Sequence, residues 1–217
     1  MPSSGVLVDV DGTLVDSNYH HTIAWSRALR EHGHDAPLCS IHRLIGMGGS
    51  ELLDELIGRA DDDIEAAWRR HFDELLPEVH VLDGAADLLH RLHDSGLTVV
   101  LATSSPTDLL DAMRSKIGAD DAIDLVVSSG DVESAKPEPD VFSVALDKAD
   151  LPPGRVLVIG DAVWDVEAAR RAGLETVAVE TGGFSAAELR DAGASAVYGG
   201  PDALADKLGE SPIARLI

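Results

Sequence analysis

Cysteine is nearly absent. Cys39 stands alone, so no disulfide can form within the chain, which suits a reducing compartment. Aromatic residues make up only 4%, leaving alanine, leucine and valine to fill an interior. No apolar run reaches the roughly 18 residues that a membrane span needs. A basic-then-apolar leader pattern is missing at the start, so a cytoplasmic location is expected. Basic residues are few, 17 against 39 acidic ones, for a formal charge of −22. That balance speaks against nucleic acid or an anionic membrane as a partner. It suits a monomer or weak homodimer held in solution by its charge, with a site that draws in divalent cations. Lysine is rare: there are four, none of them before Lys116.

What the chain has is core material. With 217 residues and 45% hydrophobic content, it can form one domain, or one domain carrying an insertion. An opening run holds Val6, Leu7, Val8 and Val10, and further valine-rich runs fall at 97–103, 124–129, 155–161, 175–181 and 195–200. Being continuous rather than alternating, they read as strands covered on both faces, hence a parallel sheet. Helical patterns separate them. Leu88, Leu89 and Leu92 form one stripe, and Phe142, Ala145, Leu146 and Ala149 another, while 165–173 ends on Gly173. The alternation predicts a doubly wound, Rossmann-like α/β sheet with right-handed crossovers.

One interval breaks this rhythm. Between the first strand and the helix near residue 84, only helical patterns occur, at 21–33, 50–58 and 62–76. That is too much chain for one crossover helix. The expected division is an α/β core of 1–16 and 82–217 with an α-helical insertion at 17–81. Asp61, Asp62 and Asp63 read as a helix start, their charges near the positive end of the dipole.

Ligands of open parallel sheets bind beyond the carboxyl ends of the strands. The first strand delivers Asp9 and Asp11 there, followed by Gly12 and Thr13. The second delivers Thr103, Ser104 and Ser105, and the fourth Gly160 and Asp161, with Asp165 four residues on. Lys136 lies between the third and fourth. Carboxylates gathered at one point repel, and a bound Mg²⁺ removes that repulsion while taking oxygen ligands. Asp9 is then a candidate nucleophile, since an aspartate can accept a phosphoryl group. The metal and Lys136 would neutralise the charge on the phosphate. Thr103, with Ser104 beside it and nearby backbone N–H groups, would hold the non-bridging oxygens. Ser105 reads as structural or helix-capping. Asp11 would protonate the leaving alkoxide and later activate water. That role requires a raised proton affinity, and the neighbouring like charges push in that direction. Within the insertion, His21, Gly48 and Gly49 are candidates for substrate contact.

These residues resemble a known pattern. "DVDGT" (9–13), Thr103, Lys136 and "GDAVWD" (160–165) look like the four motifs of the haloacid dehalogenase superfamily, whose members are mostly phosphotransferases. Order, spacing and strand context agree over nearly the whole chain. The insertion, together with "HTIAW" (21–25) and "KPEPDVF" (136–142), is similar to the helical cap of one subgroup. That subgroup includes phosphoglycolate phosphatase-like and β-phosphoglucomutase-like proteins. The resemblance implies a metal held by Asp9, the backbone carbonyl of Asp11, and Asp161, with Asp165 assisting. It implies hydrolysis of a small phosphorylated metabolite through an aspartyl-phosphate on Asp9.

Other reactions fit less well. A phosphonatase-type relative needs a lysine in its cap, and none precedes Lys116. True dehalogenases lack the second aspartate, here Asp11. A β-phosphoglucomutase-like mutase must hold a second phosphate, and at 44–53, where a basic residue would serve, stand Ile45 and Gly49. Arg27, Arg43, Arg59 and Arg69 elsewhere in the insertion keep that alternative open. A signalling or binding domain that merely accepts phosphate on aspartate needs neither the insertion nor Asp11.

Overall fold

Strands without polar alternation need cover on both faces, and the computed structural model, which describes residues 3–217, shows how it is supplied. The opening strand β1 (Gly5–Val8) is followed by two short strands, β2 (Val15–Asp16) and β3 (His80–Val81). Then come β4 (Thr98–Ala102), β5 (Leu125–Val127), β6 (Val156–Gly160), β7 (Glu175–Val179) and β8 (Ala196–Tyr198). The main sheet has the order β5-β4-β1-β6-β7-β8, every neighbouring pair parallel. Successive side chains divide between the faces as a period of two demands. Val6, Val8, Val99 and Leu101 enter one apolar cluster, whereas Leu7, Val100, Ala102 and Val158 enter the other.

The expected insertion is helical. It holds α1 (Asn18–Glu31), α2 (Leu38–His42), α3 (Gly49–Ile57) and α4 (Asp62–Leu75). Trp25, Leu29, Ile41, Leu52, Leu53 and Ile64 give these helices a core of their own. Asp61 caps α4, its Oδ1 accepting from the Ile64 amide at 3.3 Å, with Asp62 and Asp63 in the first turn. Where the chain leaves and re-enters the sheet domain, β2 and β3 pair antiparallel, Val15 opposite Val81 and Asp16 opposite His80. The helices also rest on the sheet domain directly. Trp164 Nε1 donates to the Arg43 carbonyl at 3.0 Å, and the Arg43 guanidinium stacks 4.1 Å from the Phe184 ring centre.

Helices α5 (Ala85–Asp94), α6 (Thr107–Ile117), α7 (Asp140–Ala149), α8 (Val163–Arg171), α9 (Ala186–Ala192) and α10 (Pro201–Asp206) flank the sheet. Leu88, Leu110 and Leu204 of α5, α6 and α10 cover one face. Phe142, Ala145 and Ala168 of α7 and α8 cover the other. Among the described residues, no helix is long and apolar enough to cross a membrane.

Candidate active site

The chain leaves β1 for β4 and β5 on one side and returns for β6, β7 and β8 on the other. A crevice opens at the carboxyl ends where strand order reverses in this way. Asp9 follows directly on β1, its amide bonded to the Ile159 carbonyl at 2.9 Å. Gly12 then turns the chain with φ +75°, and a Cβ there would stand 2.4 Å from Asp161 Oδ2. Glycine is required on both counts.

A buried polar network fills the floor. Lys136 is 1% exposed, and its Nζ lies 2.5 Å from Asp9 Oδ1 and 2.7 Å from Asp165 Oδ1. Asp165, in the first turn of α8, accepts from the Ala162 amide at 3.1 Å. Thr13 Oγ1 donates to Asp161 Oδ1 at 3.0 Å and lies 3.4 Å from Asp9 Oδ2. Asn18 Nδ2 donates to Asp161 Oδ2 at 2.8 Å and faces the Gly182 carbonyl at 3.3 Å. A Cβ on Gly182 would come within 1.6 Å of Asp161 Oδ2, so that loop too must be glycine.

The charges in this floor do not balance. Burial raises the Asp9 carboxyl well above its ordinary value; Lys136 opposes this, while Asp165, Asp161 and Asp11 add to it. Burial, then the charge of Asp165, pushes Asp161 up to about 7 against the bonds from Asn18 and Thr13. Burial alone would lower Lys136, but Asp165 and Asp9 outweigh it and raise the ammonium. Carboxylate oxygens of Asp9, Asp161 and Asp165 all lie within 4.8 Å of one another. A buried, all-oxygen donor set with surplus negative charge fits a hard divalent cation.

Asp11 corrects one expectation. Like charges nearby lead one to expect a raised proton affinity, and burial acts the same way. Yet the charge of His21, with hydrogen bonds from His21, Ser17 and Ser105, holds the carboxyl at about 2. Ser17 Oγ lies 2.6 Å from Asp11 Oδ1, and Ser105 Oγ lies 2.7 Å from Oδ2. Thr103 Oγ1 is more distant, 3.5 Å from the same oxygen, and accepts from the Ser105 amide at 3.1 Å. Asp11 is therefore a carboxylate as it stands.

Above the floor is a cavity of about 300 Å³ between the sheet's edge and the helical insertion. Asp9, Asp11, His21, Thr103, Ser104, Gly48 and Gly49 line it. Gly48 caps α3 and Gly49 is its first residue. The Ser104 hydroxyl is buried without a hydrogen-bond partner. Lys136, Asp161 and Asp165 lie outside this lining. The sequence reading brings Lys136 to the phosphate, whereas the ammonium here is turned onto Asp9 and Asp165.

Several members of the network escape sequence reasoning. Ser17 and Asn18 hold the aspartates, Thr181 Oγ1 donates to the Gly12 carbonyl at 2.5 Å, and Phe72 stacks on His21. Ser105, read as structural or helix-capping, binds Asp11 rather than capping α6. The paired glycines 182 and 183 just beyond β7 are the one local signal, because glycine at such a strand end marks a close approach.

Comparison with known proteins agrees with this geometry. A family profile described as haloacid dehalogenase-like hydrolase matches residues 4–173. Validoxylamine A 7'-phosphate phosphatase of Streptomyces hygroscopicus subsp. limoneus is 29% identical, over 81% of this chain and 84% of that protein. The phosphoglycolate phosphatase of Rhodospirillum rubrum is 30% identical, over 96% of this chain and 92% of its own. Among solved structures, a hydrolase from Pseudomonas syringae superposes with a TM-score of 0.90 at 34% identity, covering 96% of this chain and 99% of that one. The chain belongs to the haloacid dehalogenase-like hydrolase family.

Proposed function

We propose that this protein is a Mg²⁺-dependent phosphatase that hydrolyses a small organic phosphomonoester through an aspartyl-phosphate on Asp9. One observation carries the reading: Asp9 lines the floor of the cavity with Lys136 at 2.5 Å behind it and Asp11 beside it. The relatives named phosphatases support it.

In the first step a carboxylate oxygen of Asp9 bonds to phosphorus as the ester oxygen departs with the electron pair of the broken bond. Lys136 orients Asp9 and favours its ionised form against the burial that raises it, and Thr103, Ser104 and backbone amides receive the phosphoryl oxygens. A Mg²⁺ held by Asp9, Asp161 and the backbone carbonyl of Asp11, with Asp165 behind, would offset the negative charge of the phosphoryl group. In the second step water attacks phosphorus as Asp11, ionised once it has given up its proton, takes the proton of the water. The bond between phosphorus and the Asp9 oxygen breaks, returning the Asp9 carboxylate and releasing phosphate. For the first step Asp11 must carry a proton to the leaving oxygen, which His21 and the serines oppose. Movement of His21 with α1 would lift that restraint. Residues 17–81 thus act as a cap, opening and closing about the β2–β3 ribbon. The partner is a small phosphorylated metabolite.

The test is turnover of p-nitrophenyl phosphate with Mg²⁺, its loss with a chelator, and its loss in Asp9→Asn with the circular dichroism spectrum retained. Absence of turnover with metal present, or activity surviving in Asp9→Asn, overturns the reading. A mutase would need a cation in the cavity wall to hold a second phosphate, and neither arginine nor lysine lines it among the described residues.

A further inference from the structure

The two halves of the cavity differ in chemistry. Its floor is built to receive a phosphoryl group, whereas its roof, supplied by the helical insertion, is apolar and acidic. Trp25, Ile45, Met47 and Trp68 provide the apolar wall, and Glu51 and Glu65 bring carboxylates to it. The arginines that could have balanced these charges are committed elsewhere. Arg27 pairs with Glu74 at 3.6 Å, Arg43 with Glu188 at 2.5 Å, and Arg59 with Asp61 at 2.9 Å. Arg69 pairs with both Asp73 and Asp108 at 2.9 Å.

Glu51 and Glu65 have no ion-pair partner among the described residues. Glu65 accepts from the Ser50 hydroxyl at 2.9 Å, and Glu51 from the Ala135 amide at 3.4 Å. Both are half-buried. Burial, the Ser50 bond opposing, and the charges of Asp62 and Glu51 together raise the Glu65 carboxyl above its ordinary value. These are acceptors with capacity to spare on the cavity wall.

A phosphomonoester seated on Asp9 must place its leaving group against this roof. A carboxylate or second phosphate on that group would meet two glutamates with no arginine or lysine in the lining to offset them, and a like-charge contact of this kind is strongly unfavourable. Hydroxyl or ammonium groups would donate to the same oxygens.

We propose that Glu51 and Glu65 select phosphomonoesters whose leaving group is rich in hydrogen-bond donors and carries no second anion, such as an amino alcohol or a polyol. This rests on the phosphatase reading above and narrows it, setting carboxylate-bearing esters apart from sugar-phosphate-like ones.

The experiment compares kcat/KM for phosphoethanolamine, glycerol phosphate and phosphoglycolate, with p-nitrophenyl phosphate as a reference that probes hydrolysis alone. Phosphoethanolamine and glycerol phosphate are expected to exceed phosphoglycolate by a factor on the order of ten or more. Glu51→Gln and Glu65→Gln should each bring the ratio of phosphoethanolamine to phosphoglycolate towards one. Added sodium chloride should do the same in the unaltered protein, so the test survives if a variant fails to fold. Calorimetric binding of the same esters to Asp9→Asn should show the same preference without turnover. A preference for phosphoglycolate, or a ratio indifferent to salt and to both substitutions, overturns the proposal while leaving the phosphatase reading in place. No hydrolysis of any ester, the reference included, overturns both.

Discussion

His21 Nε2 lies 2.8 Å from Asp11 Oδ1, tying helix α1 of the insertion to the loop that follows β1. The imidazole is stacked on Phe72 with 4.0 Å between ring centres, so packing within the insertion fixes where it points. The acid/base candidate of the sheet domain is thus held by a residue of the other unit. His21→Ala relieves the restraint on protonating Asp11 but removes the contact that aims it. Because small misplacements of a reacting group are costly, kcat should fall by up to about a hundredfold with KM little changed. His21→Gln, which can still reach Asp11, should recover part of the loss. Steady-state kinetics on p-nitrophenyl phosphate decide it; a wild-type kcat in His21→Ala would refute the role.

Lys136 ties the floor of the cavity together. Its ammonium separates Asp9 from Asp165, both buried. Lys136→Met should destabilise the protein by about 3–5 kcal/mol, because two buried carboxylates then face each other unpaired. Asp165→Asn in the same chain should return much of that loss. Urea midpoints measure both, and equal midpoints for Lys136→Met and the unaltered protein would count against the argument.

The strands were legible because burial on both faces leaves an unbroken apolar run, a signal contained in a few adjacent residues. The ribbon of β2 and β3 was not, since two residues per strand carry no period. Nor was the helix at Thr107–Ile117. At the site, Asp9, Asp11 and Asp161 stood out because charge at the end of an apolar strand demands an explanation, and Lys136 because lysine is rare in this chain. Their neutral partners did not. Asn18 reaches Asp161 across 143 residues of sequence, and a lone asparagine signals nothing until the chain has folded. The same blindness misdirected the expectation for Asp11: neighbouring carboxylates are visible in "DVDGT", but His21 becomes a neighbour only when α1 packs over the loop.

Gly182 offers a sharp steric test. A Cβ at 182 would stand 1.6 Å from Asp161 Oδ2, so Gly182→Ala must displace either the loop or the carboxylate. Mg²⁺ is expected to stabilise the unaltered protein against thermal unfolding, and that stabilisation should shrink strongly in this variant. Gly199→Ala, where a Cβ meets nothing within 4 Å, is the matched control and should keep the full shift. An undiminished Mg²⁺ effect in Gly182→Ala would mean that Asp161 does not contribute to the metal site.

The raised carboxyl of Asp161 couples metal binding to pH. Its folded value of about 7 exceeds the ordinary 3.8, so its contribution to stability is fully present below the latter and is lost as pH climbs through about 7. Metal-free protein should therefore lose stability across that window, and Mg²⁺, which needs the ionised carboxylate, should restore most at the upper end. The rise in melting temperature on adding Mg²⁺ is expected to be larger at pH 8 than at pH 6. At pH 6 binding should also release a proton, detectable as a calorimetric heat that varies with the ionisation enthalpy of the buffer. Asp161→Asn should flatten the metal-free profile between these pH values. Equal Mg²⁺ shifts at pH 6 and pH 8, with no buffer dependence of the heat, would show that Asp161 is already ionised without its cation.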